Sequence, residues 1–134
     1  MSLFDIYAGK KLGIKAYKDF NKWDEEWEEG VYSSTTGAKA DYPGNVRNKN
    51  IIEVLPGGSY YFKAPSHPRV YYYDADKTYL SNEWVTKNTI KTIGDNVHYI
   101  NFYIEGTAYS NNICINISKT TGSPKNGDYV PYMG

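Results

Sequence analysis

The sequence predicts an all-β fold, a sandwich or barrel of short antiparallel strands. Three observations predict it. Strand-forming runs recur between Pro/Gly breakers, most densely in the stretch after Arg47: Ile51-Ile52-Glu53-Val54, the turn Pro56-Gly57-Gly58, Ser59-Tyr60-Tyr61-Phe62, a break at Pro65-Ser66-His67-Pro68, then Val70-Tyr71-Tyr72-Tyr73-Asp74. Two later segments alternate with period two. Ile100, Phe102 and Ile104 alternate with Tyr99, Asn101, Tyr103 and Glu105, and Ile113, Ile115 and Ile117 with Cys114, Asn116 and Ser118. Finally, the helical crossovers that parallel strands require are missing between the runs.

In chain order, residues 1–24 read as an N-terminal arm, irregular or partly helical. Ala16, Phe20, Trp23 and Trp27 fall on a helical stripe, but Asp24-Glu25-Glu26 would sit at its C-terminus, against the helix dipole. Residues 25–120 read as the β domain. Trp27–Ser34 opens it, and Thr35-Thr36-Gly37 and Tyr42-Pro43-Gly44-Asn45 are turns. Val46–Val54 reads as one long strand, bulged near Asn48-Lys49-Asn50. Ser59–Lys63, Arg69–Asp74 and Thr78–Ser81 follow, then Trp84–Ile93 as a strand with a loop inside. The total is about eight short strands, the pattern of a sandwich or barrel. Residues 121–134, rich in Gly, Pro, Ser and Asn, read as a tail or linker.

Composition narrows the function. A chain of 134 residues fits one domain with one core. Fifteen tyrosines dominate an aromatic content of 16%, and tyrosine suits half-buried strands and wet binding surfaces. Fifteen basic and fifteen acidic residues cancel, which removes the electrostatic footprint of a nucleic-acid binder. The single cysteine, Cys114, allows neither an internal disulfide nor a Cys-based zinc site within the chain. Met1-Ser2-Leu3-Phe4-Asp5 lacks a basic segment followed by an apolar run, and no apolar run reaches membrane-spanning length, so neither a secretory leader nor membrane insertion is expected.

Several segments together carry a family resemblance. They are Trp27-Glu28-Glu29-Gly30-Val31-Tyr32-Ser33-Ser34-Thr35-Thr36-Gly37, Asn45-Val46-Arg47 with Lys49, Ile51-Ile52, Val54, Pro56-Gly57 and Tyr60, Val70-Tyr71-Tyr72-Tyr73-Asp74 with Asp76-Lys77 and Tyr79-Leu80-Ser81, and Val97-His98-Tyr99-Ile100 with Phe102. Over about residues 27–118 the chain resembles the carbohydrate-binding-module-like jelly rolls of bacteriophage and prophage tail, baseplate and minor structural proteins. Similar modules precede esterase domains in some bacterial enzymes. The resemblance implies a two-sheet jelly roll and a non-catalytic virion module for host-surface glycan adhesion or assembly. The implied location is the virion, or the bacterial cytoplasm before assembly. Two alternatives stay open: a purely structural virion subunit without sugar binding, and the accessory module of a carbohydrate-active enzyme.

Sugar binding needs flat aromatic surfaces and nearby hydrogen-bonding groups. With the isoleucines of the last two strands inward, Asn101, Tyr103 and Asn116 point outward. Arg47, Tyr72 and Trp84 are their expected neighbours on one open face, although the parity of Val70–Tyr73 is open because all four could be buried. The expected contacts are neutral, stacking and hydrogen bonds, with Arg47 secondary. Asp74 and Asp76 lack the following Gly and Glu of a calcium loop and read as turn residues. His67 and His98 have no ligand spacing. No metal site and no cofactor is expected. No Gly-x-Ser-x-Gly elbow or phosphate loop appears, and Glu25-Glu26 and Glu28-Glu29 read as a solvated stretch, so no enzyme is expected. Expected partners are cell-surface polysaccharide, other virion subunits and further copies of the chain, a trimer foremost. The aromatic arm of Phe4, Tyr7, Tyr17, Phe20 and Trp23 motivates the oligomer, because one small domain would leave it uncovered.

Overall fold

A computed structural model describes residues 20–106, 109–117 and 128–133. Among them the strands are β1 (Trp27–Glu29), β2 (Val31–Tyr32), β3 (Lys39–Ala40), β4 (Asn45–Asn48), β5 (Ile52–Glu53), β6 (Ser59–Lys63), β7 (Arg69–Tyr73), β8 (Tyr79–Trp84), β9 (Thr89–Thr92), β10 (Tyr99–Glu105) and β11 (Cys114–Ile117), and there is no helix. Every strand pair is antiparallel. The larger sheet runs β1-β4-β10-β7-β8, with β5 beside β10 where β4 has ended, and the smaller sheet runs β11-β6-β9. A separate ribbon pairs β2 with β3. The two sheets pack face to face as an all-β sandwich, as the strand patterns predict.

The core lies where the alternation puts it. Val46, Val70, Ile100, Phe102 and Ile104 of the larger sheet meet Tyr60, Phe62 and Ile115 of the smaller one. Burying each such side chain is worth roughly 1.5–3 kcal/mol before chain entropy is charged against it. The turns form as their residues suggest. Gly57 adopts φ 72°, and Gly58 N–H donates to the Leu55 carbonyl at 3.0 Å, which carries the chain from β5 in one sheet to β6 in the other. Asp74 Oδ1 accepts from the amides of Asp76 and Thr78 at 2.9 Å each, so its carboxylate closes the β7–β8 turn.

Two long strands of the sequence reading are divided. Val46–Val54 becomes β4 and β5, separated at residues 49–51, because the Asn48 side chain takes over there. Its Oδ1 accepts from the Phe102 amide at 2.8 Å, and its Nδ2 donates to the Asn50 carbonyl and to Asn101 Oδ1. Trp84–Ile93 crosses between the sheets: β8 ends at Trp84, and β9 begins at Thr89 in the smaller sheet.

Both described chain ends pack on the sandwich. Residues 20–22 run along β11, with Lys22 N–H donating to the Ile115 carbonyl at 2.8 Å and Ile117 N–H to that of Phe20 at 2.9 Å. The stripe expected to be helical is therefore extended from Phe20 onward, and Ala16 lies outside the described residues. Phe20 and Trp23 are buried within this chain, Trp23 edge-on to Phe102 at 5.1 Å. They therefore give no motive for an oligomer, while Phe4, Tyr7 and Tyr17 lie outside the described residues. The end of the expected tail is fastened too. Val130 is buried, and the Glu25 carboxylate accepts from the hydroxyls of Tyr109 and Tyr129 and from the Tyr132 amide.

Candidate functional site at the open end of the outer face

The outer face of the larger sheet, opposite the core, gathers the polar aromatics. Cross-strand partners share a face, so the registers define one row across five strands: Glu28 on β1, Arg47 on β4, Tyr103 on β10, Arg69 on β7 and Trp84 on β8. The next row brings Asn101, Tyr71 and Asn82 together, and a third brings Tyr99, Tyr73 and Tyr79.

The β2–β3 ribbon and its turn roof much of this face. Arg47 Nη1 donates to the Val31 and Ala40 carbonyls, 3.0 Å each, and so grips both strands of the ribbon at one paired position. Tyr71 donates to the Tyr32 carbonyl at 2.7 Å, Tyr73 to the Gly37 carbonyl at 2.5 Å and Tyr79 to the Ser34 carbonyl at 2.8 Å. Gly37 is required there on two counts. Its φ is 70°, and a Cβ would stand 2.5 Å from the Tyr79 ring. Burial pushes the Tyr71 hydroxyl up to about 12 and raises that of Tyr73, so both stay protonated donors.

The roof stops short of the row's far end. Trp84 is 48% exposed, while Arg69 and Tyr103 are half-buried beside it. The Arg69 guanidinium carbon stands 5.1 Å from the centre of the Trp84 ring, and the Tyr103 ring meets Trp84 edge-on at 5.8 Å. Arg69 Nε donates to Asn82 Oδ1 at 2.7 Å, and Asn82 is itself held by the Tyr79 hydroxyl. The result is an indole fixed in place by neighbours, with nearly half its surface open.

The residues expected to bind sugar separate on this framework. Trp84, Tyr103 and Arg47 share the row, but Arg47 is only 8% exposed and committed to Glu28 and the ribbon. Asn101 has the expected parity but is covered rather than open: it is 8% exposed and accepts from Asn48 Nδ2 at 2.7 Å. Tyr72 belongs to the opposite face. Its ring lies in the core and its hydroxyl donates to Glu83 at 2.5 Å. Asn116 belongs to the other sheet and is fully buried, with Nδ2 donating to the Asp128 carbonyl. Tyr72 and Asn116 are therefore corrected out of the open face, because register and the returning C-terminal segment put them elsewhere. Sequence reasoning missed Arg69, Asn82, Tyr71, Tyr73 and Tyr79. The signal was available for β7: Val70 marks the core parity, which sends Arg69, Tyr71 and Tyr73 the other way.

Elsewhere, a polar cleft of about 280 Å³ opens between Asn21, Lys22 and Asp24, residues 50–53 and Tyr132. Its Asn50 amide is already spent on Asp24 and Glu26. Among the described residues no His, Cys, Asp and Glu side chains gather as a metal cluster, and no helix is long and apolar enough to cross a membrane. Comparison of the chain with protein-family models, with curated proteins and with solved structures gave no match.

Proposed function

We propose that this protein is a non-catalytic recognition module that holds a surface glycan at the Trp84–Tyr103 end of its larger sheet, serving as part of a phage or prophage tail or baseplate. One observation carries the glycan reading: the exposed Trp84 ring, braced by Arg69 and Tyr103 at the open end of a roofed face. A sugar ring stacks its C–H face on such an indole, and a ring already held still loses little freedom when it does. Asn82 stands in the adjoining row and spends its amide on Arg69 and on the Tyr79 hydroxyl, which holds the bracing arginine in place. The virion part of the reading rests on the resemblance of the sequence alone.

An array of bacterial polysaccharides followed by calorimetric titration of the tightest binder tests this reading. Trp84→Ala is expected to weaken binding roughly tenfold or more, about 1.4 kcal/mol, with little change in melting temperature. Ile90→Ala, on β9 of the other sheet and comparably exposed at 52%, is expected to bind as the wild type does. If nothing on the array binds, or if Trp84→Ala binds normally, the structural-subunit reading replaces this one.

A further inference from the structure

We infer that the glycan held at Trp84 is an acidic one, and that a sugar carboxylate seats on Arg69. The inference rests on the glycan reading above and names the ligand class of that same site. It comes from comparing the two arginines that flank Tyr103 in the cross-strand row.

Arg47 is neutralised within the protein. Its Nε and Nη2 lie 2.8 and 2.6 Å from Glu28 Oε2, and its Nη1 serves two carbonyls. Arg69 Nε donates to a neutral amide oxygen, and among the described residues no carboxylate pairs with it. The nearby acids are otherwise placed. Glu83 points to the core side, where it pairs with Lys91 at 3.0 Å and accepts from Tyr72. Glu105 shares the outer face two residues beyond Tyr103 on β10, but it is exposed and forms no ion pair with Arg69.

The orientation of Arg69 suits a carboxylate. Asn82 occupies the Nε edge, which leaves the two terminal nitrogens as a planar fork. Such a fork matches the two oxygens of a carboxylate in a bidentate pair. The guanidinium also stands against the exposed indole. A ligand that stacks on Trp84 therefore brings its ring substituents to the fork. A cation with no carboxylate partner among the described residues, beside an open aromatic surface, fits a sugar ring that carries one negative charge, a uronic acid. Such a ligand departs from the neutral contacts expected of the sequence, since a balanced total charge does not require each cation to be balanced where it stands.

The test uses the intact chain and a panel of polyuronates: polygalacturonate, alginate and hyaluronan. Each is also prepared in carboxyl-reduced form, which keeps the ring and removes the charge. A phosphate-bearing wall polymer and a neutral glucan complete the set. At least one polyuronate is expected to bind at least roughly tenfold more tightly than its reduced form. Arg69→Gln is expected to abolish that difference, Trp84→Ala to weaken both forms, and added salt to weaken only the charged form. Equal binding of charged and reduced polymers, with Trp84→Ala still damaging, overturns the acidic ligand and leaves the glycan reading standing. Binding confined to the phosphate polymer overturns the carboxylate. Binding to none of the panel overturns the inference, as does wild-type discrimination by Arg69→Gln.

Discussion

Arg47 and Arg69 flank one tyrosine, and the fold spends them differently. Arg47 ties three elements, so its loss should register as stability. Arg47→Ala leaves the Val31 and Ala40 carbonyls without that donor and Glu28 with only Lys39, which lies 2.8 Å away. Unsatisfied acceptors of this kind cost about 1–3 kcal/mol, and urea titration is expected to return a loss in that range. Glu28 is partly exposed, so its half of the pair adds little. Phe102 makes the contrasting case. It is buried at 1% exposure against Trp23, and Phe102→Ala should cost about 3–5 kcal/mol; a measured loss below about 1 kcal/mol would contradict its place in the core. The side of the sheet taken by Phe102 was legible, because Ile100, Phe102 and Ile104 alternate with polar residues. The burial of Asn101 and Asn116 was not. Parity assigns a residue to a face, but it cannot report that a ribbon or a returning chain end covers that face.

At the scale of elements, turns and strand types were more legible than strand limits. Pro56-Gly57 and Asp74–Lys77 carry their turn chemistry in adjacent residues, so they could be read directly. The break after β4 could not, because it depends on an Asn48 side chain whose partners, Asn101 and Phe102, are remote in sequence. The β2–β3 ribbon is a similar case. With only two residues in each strand, it holds few ladder hydrogen bonds of its own. Its place over the sheet therefore depends on Arg47 and on tyrosine hydroxyls from β7 and β8. Tyr73→Phe and Tyr79→Phe remove a donor and keep the ring. Each should cost about 0.5–1.5 kcal/mol. The double substitution should speed amide exchange at Ser33 and Gly37, whose N–H groups donate the bonds that close the ribbon's turn, and leave β10 protected. Unchanged exchange there would mean that the ribbon holds its turn without the tyrosines.

At the scale of the whole molecule, the sandwich class followed from pattern and breakers. How the ends close did not, because Glu25 joins Tyr109, Tyr129 and Tyr132 across most of the chain. Tyrosine hydroxyls withdrawn from water set the response of the molecule to alkali. Burial is the leading cause in every case: it lifts Tyr71 and Tyr129 to about 12, and it raises Tyr32, Tyr60, Tyr72, Tyr73 and Tyr109 above the ordinary value of 10.0. Glu83 adds to the rise at Tyr72, and Glu25 to that at Tyr109 and Tyr129. An unfolded tyrosine releases its proton near pH 10, whereas these keep theirs in the folded chain. Below that pH both states are protonated and the tyrosines give stability no slope. Above it the unfolded state binds fewer protons than the folded one, so stability falls as pH rises. Cys114, lifted by burial to about 11, acts in the same direction and begins nearer its unfolded value. Urea midpoints are therefore expected to decline gently from pH 8, then steeply between pH 10 and 12, the window set by the unfolded value and by Tyr71 and Tyr129. The share of tyrosinate absorbance that comes from these seven hydroxyls should rise together with the loss of β signal rather than before it. Tyr71→Phe should start from lower stability and show a shallower alkaline decline, because one proton held only by the folded state is gone. Tyrosinate absorbance appearing in full while the β signal stays intact would show that these hydroxyls are not withheld from solvent, and the part of the roof held by Tyr71 and Tyr73 would fail with them.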